Sequence, residues 1–190
     1  MIKQIIPCIN HARRIKKLGI QTKKPIVFST GYNVLIGPNA TGKTTLLDAI
    51  YSCNNCRIDI EKGTKIKYIS TTKLSDINAI YLTPVERAIM CSRAMFSSAG
   101  QTARDMLSVQ GYSGEDCILI DTPETDQDIK QSIAIYDRLK KLTRVGIQVI
   151  VATHSPFFIK ENDNIIEFEK GYLDKIVTEY YNNLKRFMKK

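Results

Sequence analysis

The chain has 190 residues, 43% of them hydrophobic, and a formal net charge of +9. That length fits one domain, residues 1–190, with enough apolar material for a core. No apolar run reaches the ~18 residues of a membrane span, and the N-terminus MIKQIIPCINHARRIKK lacks the apolar core of a secretion signal. Five cysteines are too few for a disulfide scaffold, so a reduced, cytoplasmic setting is expected.

In chain order, 26-IVF-28 and 33-NVLI-36 read as short strands on either side of the turn 29-STGY-32. Residues 43–52 have helical spacing, with Leu46, Leu47 and Ile50 on one face. Residues 65–70 alternate as a strand does. In 83-TPVERAIMCSRAMF-96, Thr83 caps, Pro84 takes the first helical position and Glu86 completes a capping box. The continuous apolar run 117-CILID-121 suits a buried parallel strand. Residues 126–142 predict a helix with Ile129, Ile133, Tyr136 and Leu139 inward, and 147–153 a second buried strand. A hairpin around 169-EKGY-172 precedes a closing amphipathic helix within 175–190, whose stripe of Ile176, Val177, Tyr180, Tyr181, Leu184, Phe187 and Met188 is expected to pack on the body. Strands alternating with helices predict an α/β fold, a mostly parallel sheet flanked by helices with antiparallel β structure near the N-terminus.

The stretch Gly37-Pro38-Asn39-Ala40-Thr41-Gly42-Lys43-Thr44-Thr45 satisfies the P-loop pattern in full, between a strand and a helix. Its glycines permit a backbone whose N–H groups converge on a phosphate at the helix N-terminus. Lys43 can reach the β- and γ-phosphates of ATP, and the Thr44 hydroxyl can ligate Mg. Asp121, ending an apolar strand, supplies the acid expected at the Mg shell. Candidate metal ligands are thus Thr44 and Asp121.

Four stretches carry a family resemblance: 36-IGPNATGKTTLLDAI-50, 96-FSSAGQ-101, 118-ILIDTPETDQD-128 and 149-VIVATHSPFFI-159. Together they resemble the ABC-type P-loop ATPases, in particular the soluble branch kin to the structural-maintenance-of-chromosomes, RecF and overcoming-lysogenization-defect ATPases. The resemblance implies two ATP molecules sandwiched between head-to-tail subunits. Ser98, Gly100 and Gln101, in a degenerate signature loop, would meet the γ-phosphate held by the other copy. His154 would face that phosphate or the attacking water, and Asp128 would contact the partner across the interface. Residues 53–110 would form a reduced helical and signature subregion, too short for a coiled-coil arm.

The chain departs from this family pattern in two places. Thr122 stands where the catalytic glutamate directly follows the Walker B aspartate, and a threonine hydroxyl is a poor base at neutral pH. Glu124, two residues on, is the carboxylate that could substitute, so slow hydrolysis or binding without turnover is expected. No glutamine lies between Gln21 and Gln101, which leaves Asn54, Asn55 or Asn78 to replace the usual magnesium-sensing amide. The basic stretches 11-HARRIKK-17 and 185-KRFMKK-190 are compatible with DNA or another polyanion. The expected partners are a second copy of the chain, a nuclease or other effector protein, and DNA, with no membrane. A non-hydrolysing ATP-dependent module is the alternative, and a small-molecule P-loop kinase a more distant one. The pair Cys53-Asn-Asn-Cys56 suggests a zinc knuckle, but no second CxxC or CxxH follows it, so the cysteines are read as unremarkable.

Overall fold

The computed structural model describes residues 1–15, 24–70, 116–125 and 127–188. Its eight described strands form two sheets. The first sheet is antiparallel, in the order β2-β1-β4, built from β1 (Ile2–Ile6), β2 (Ile26–Val27) and β4 (Arg57–Ile60). The second is parallel throughout its described pairings, in the order β5-β6-β7-β3-β8. It contains β3 (Tyr32–Ile36), β5 (Ile66–Ser70), β6 (Cys117–Asp121), β7 (Gln148–Thr153) and β8 (Asn164–Glu167). The helices are α1 (Ile9–Arg14), α2 (Lys43–Ser52), α3 (Ile129–Arg144) and α4 (Tyr172–Met188), with a short 3-10 turn at Pro156–Phe158.

The central strands are apolar on both faces because both faces are covered. Leu35, Leu119, Ile150 and Ala152 join Leu46, Leu47 and Ile50 of α2 and Ile2 and Ile5 of β1 in one core. Val34, Ile36, Ile118, Ile120, Val149 and Val151 face the other way, onto Ile135, Tyr136 and Leu139 of α3 and onto Phe158. The period-2 alternation of the strands therefore feeds two cores, one per side of the sheet.

One buried amide, Gln148, ties the parallel sheet to β1, and a second, Asn33, pins the connection between β2 and β3 to the parallel sheet. The Gln148 side chain accepts from Ile2 N–H at 2.8 Å and donates to the carbonyls of Ile2 and Ser29, both at 2.7 Å. Asn33 donates to the Ser29 and Val149 carbonyls at 3.0 and 3.2 Å and accepts from Ser29 N–H at 2.7 Å. Both side chains are fully buried and well supplied with partners, as a buried amide requires.

The α/β class, the antiparallel portion near the N-terminus and the strands at 66–70, 117–121 and 148–153 agree with the expectation from sequence. Three details differ. The segment after β8 is a turn into α4 rather than a hairpin, since β8 pairs in parallel with β3. The Glu167 carboxylate accepts from Gly171 N–H at 2.8 Å and Leu173 N–H at 3.0 Å, and Gly171 takes a φ of 75° to make that turn. The buried stripe of α3 is Ser132, Ile135, Tyr136 and Leu139, while Ile129 and Ile133 are exposed. In α4 the apolar stripe does not pack as expected. Tyr172 and Leu173 reach the core and Tyr180 meets Phe157 edge-on at 5.3 Å, but Val177, Tyr181 and Leu184 are 49%, 57% and 49% exposed. The helix meets the body through Tyr172, Leu173 and Tyr180, and among the described side chains Val177, Tyr181 and Leu184 are left open to solvent. The expected helix at 83–96, the signature-loop residues Ser98, Gly100 and Gln101, and Asn78 lie outside the described residues.

Candidate phosphate and metal site

All five parallel strands end at one edge of the sheet, where α/β folds place their ligands. The loop Gly37–Gly42 leaves β3 there and enters α2. Its geometry depends on two glycines in different ways. A Cβ on Gly37 would lie 2.8 Å from the Cβ of buried Phe168, so the loop can run this close only without a side chain. Gly42 has a φ of 98°, and its missing Cβ would sit 2.9 Å from the Cα of Ile15. Ala40 also adopts a left-handed φ of 61°, which curls the loop between them. Thr41, almost fully buried, donates its hydroxyl proton to the Pro38 carbonyl at 2.8 Å and closes the curl.

Lys43 is the first residue of α2, and only 6% of it is exposed. Its ammonium donates to the carbonyls of Gly37 at 2.7 Å and Pro38 at 2.8 Å, which folds the side chain back over the loop. Burial pushes this amine below its ordinary value, opposed by the nearby carboxylates of Glu124 and Asp121. One residue on, the Thr44 hydroxyl donates to Asp121 Oδ1 at 3.1 Å. Asp121 ends β6 fully buried. Burial raises its carboxyl above the usual range, while the Thr44 bond and Lys43 pull the other way. A hydroxyl and a carboxylate side by side at a helix N-terminus form a hard oxygen donor set, the kind Mg prefers. The residues present therefore fit that ion.

Asp121 ends β6, the loop that leads to Lys43 leaves β3, and β7 runs between those two strands. The end of β7 brings in the remaining candidates. Glu124 Oε1 accepts from the Thr153 hydroxyl at 2.8 Å and from His154 N–H at 2.9 Å. His154 Nδ1 lies 3.0 Å from the same oxygen. The Glu124 side chain is only 10% exposed, and its second oxygen is buried with no hydrogen-bond partner among the described residues. Glu124 is thus turned inward, to the same edge as Asp121 and Lys43. Thr122, at the position where the resemblance expects a glutamate, has a left-handed φ of 49°. Asp128 accepts from Gln131 N–H at 2.7 Å and caps α3.

The Cys53–Cys56 pair is not isolated, contrary to the expectation from spacing. Its complement precedes it in the chain: Cys8 and His11 bring their ligand atoms within 4.8 Å of those of Cys53 and Cys56. The signal in the sequence is the CxxH at 8–11, which lies upstream of the pair rather than after it.

No family model matches the chain. Over 85 residues it is 32% identical to the macrolide export ATP-binding/permease protein MacB of Psychrobacter cryohalolentis, and equally to that of Psychrobacter arcticus. That match takes in 45% of this chain and 12% of the length of those relatives. Among solved structures, CbiO1 from Clostridium perfringens, part of the ABC transporter complex CbiONQ, superimposes with a TM-score of 0.54 at 16% identity, over 83% of each chain. A nucleotide-free ATP-binding cassette from an ABC transporter gives 0.53 at 14% identity, over 81% of this chain and 87% of that one. The fold is that of the ABC-type ATP-binding cassette. Among the described residues, no helix is long and apolar enough to cross a membrane.

Proposed function

We propose that this chain is an ABC-type ATPase head that binds MgATP on its 37–45 loop, hydrolyses it slowly, and dimerises head-to-tail around the nucleotide to regulate a partner. One observation carries the reading: a phosphate loop, a hydroxyl–carboxylate pair at 3.1 Å and the Glu124–His154 contact at 3.0 Å meet at one sheet edge. Thr44 and Asp121 would hold Mg, which when bound offsets the charge of the phosphate oxygens. The N-terminus of α2 and the N–H groups of residues 39–45 would bind the β-phosphate. Lys43 would exchange its bonds to the Gly37 and Pro38 carbonyls for bonds to phosphate oxygens.

Glu124 takes the part of the missing base. Its Oε1 is held by Thr153 and His154, which leaves the buried Oε2 to accept a proton from water. His154, with its ring 44% exposed, would orient that water or meet the γ-phosphate. In the dimer, Ser98, Gly100 and Gln101 of the second copy would cap the γ-phosphate, and Asp128 would lie at the interface. ADP lacks the group they grip and would release the pair. The net charge of +9 supports a partner that is DNA, or a nuclease or other effector acting on it, in repair, mobile-element function or defence. Thr122 favours a second reading, a non-hydrolysing interaction module in which ATP only holds two copies together.

Phosphate release from the purified chain, set against Asp121→Asn, separates the two readings. Sedimentation with ATP, ADP or neither, with and without duplex DNA, tests the switch. ATP-dependent dimers that disappear in Ser98→Arg while nucleotide still binds are expected. Monomers under all conditions refute the dimer, and release no faster than from Asp121→Asn refutes turnover.

A further inference from the structure

We propose that Cys8, His11, Cys53 and Cys56 form a structural zinc site that clamps α1 to the far end of the phosphate-loop helix. The proposal does not depend on the nucleotide reading. The four residues form two short pairs, Cys8-Ile9-Asn10-His11 and Cys53-Asn54-Asn55-Cys56, the spacing with which a chain turn presents two ligands to one ion. Three thiols and one imidazole is a ligand set that selects zinc among the common divalent ions, and no carboxylate belongs to the cluster.

The distances agree with a tetrahedron. Zinc–sulfur bonds of about 2.3 Å and zinc–nitrogen bonds of about 2.0–2.1 Å set sulfur and nitrogen roughly 3.6 Å apart and two sulfurs roughly 3.8 Å apart. Here His11 Nδ1 is 3.2 Å from Cys8 Sγ and 3.6 Å from Cys56 Sγ, and all four ligand atoms lie within 4.8 Å of one another. The Cys8 N–H donates to Cys56 Sγ at 3.3 Å, a second-shell bond of the kind that steadies a ligating thiolate. Ordinary core cysteines have no reason to gather three deep around an imidazole, and Cys8, Cys53 and His11 are only half-buried.

The cluster also accounts for α1. A helix of six residues is too short to hold itself together. This one buries none of its residues and has no side-chain cap, since Cys8 occupies the N-cap position where Ser or Asp would otherwise bond the first turn. The buried Ile15 anchors its C-terminal end, and the cluster is the tether at its N-terminal end: Cys8 at the cap, His11 in the helix, Cys53 at the C-cap of α2 and Cys56 ahead of β4. From there α1 runs back along α2, and its last residues close over the phosphate loop. Ile15 Cα and the Arg14 carbonyl lie 2.9 and 3.3 Å from where a Gly42 Cβ would be. The ion would thus fix, from the opposite end of α2, the segment that covers Gly42.

The test uses the full-length chain without a histidine tag. Elemental analysis should find about one zinc per chain. Protein stripped of metal and titrated with Co²⁺ should develop the visible bands of tetrahedral cobalt and the near-ultraviolet charge transfer of cobalt–thiolate bonds. The double variant Cys53→Ser/Cys56→Ser should lose both signals, and Cys117→Ala, a thiol in β6 outside the cluster, should keep them. Removing the metal should speed amide exchange at Ala12 and Ile15, whose N–H groups bond the carbonyls of Cys8 and His11. A folded wild-type chain that purifies without zinc and gives no cobalt–thiolate spectrum overturns the site. So does a cobalt spectrum undiminished in the double variant.

Discussion

Replacing Glu124 in two ways separates its chemistry from its packing. In Glu124→Gln the amide oxygen can still accept from the Thr153 hydroxyl and His154 N–H, which now bond Oε1 at 2.8 and 2.9 Å. Exchanging a charged acceptor for a neutral one costs about 1 kcal/mol, partly offset because a buried carboxylate is no longer kept out of water. In Glu124→Ala both donors lose their acceptor. Thr153 is fully buried, so its orphaned hydroxyl costs about 1–3 kcal/mol, and the half-buried His154 N–H adds about 1 kcal/mol, for a total of roughly 2–4 kcal/mol. At about 2–4 °C of melting temperature per kcal/mol for a chain of this size, Glu124→Ala should melt roughly 5–15 °C lower and Glu124→Gln within ~4 °C of wild type. Turnover should behave differently. Both variants lose the proton acceptor, so phosphate release should fall by about 10²–10⁴ in each. Calorimetry and a phosphate-release assay on the same preparations give the two readouts. A folded Glu124→Gln protein that hydrolyses ATP at the wild-type rate would falsify the role of Glu124 as base.

Three further outcomes follow from the same geometry. Lys43→Ala removes two charged hydrogen-bond arms at the loop and should weaken nucleotide binding by about 10–10²-fold in calorimetric titration; unchanged affinity would remove Lys43 from the phosphate site. Asp121→Asn should abolish Mg-dependent turnover and yet raise the unfolding midpoint at neutral pH, since a fully buried carboxylate need no longer ionise. The sign follows from its raised folded value: the native chain holds this proton longer than the unfolded one, so wild-type stability falls as pH climbs from the usual carboxylate range through the raised value, and a pH series of urea melts should show that slope flattened in Asp121→Asn. Gly42→Ala puts a side chain at a φ of 98° and 2.9 Å from the Ile15 Cα, and should cost about 2 kcal/mol or more by denaturant melt; an unchanged midpoint would mean that α1 does not press on the loop.

The parts of the fold that were legible in the sequence are those governed by local pattern. β6 and β7 announce themselves as unbroken apolar runs because helices or a second sheet cover both faces. The phosphate loop is legible because its glycines answer to steric demands that act within a few residues. What escaped depends on contacts distant in sequence. α1 has no apolar face to give it a period: none of its own residues is buried, and it is flanked by a cluster with cysteines more than forty residues away and by the core residue Ile15 at its end. β4 is short and half-exposed and exists by pairing with β1. The apolar stripe of α4 is a true helical period, yet periodicity reports only that a face is apolar, not whether anything within the chain lies against it. Gln148 and Asn33 look like ordinary polar residues, and only the meeting of β7 with β1 and of β3 with the loop at Ser29 makes them necessary.

The position of the Glu124 carboxylate is set by backbone conformation at Thr122. β6 ends at Asp121, and the next residue turns left-handed at a φ of 49°, a conformation that costs a β-branched residue on the order of 1–3 kcal/mol. Three bonds hold it. Thr122 N–H donates to the Ala152 carbonyl at 2.8 Å, and the N–H and hydroxyl of Thr125 donate to the Thr122 carbonyl at 3.1 and 3.0 Å. Pro123 removes one more torsional freedom from the same turn. The turn is thereby docked on β7, and it delivers Glu124 to Thr153 and His154. A carboxylate three residues after Asp121 is therefore turned to the strand edge where the family resemblance expects the residue immediately following. It follows that Thr122→Glu adds an acid to a turn that already presents one, and should leave phosphate release within about threefold of wild type. A rise of about tenfold, or some 1.4 kcal/mol of barrier, would mean that residue 122 and not Glu124 faces the attacking water.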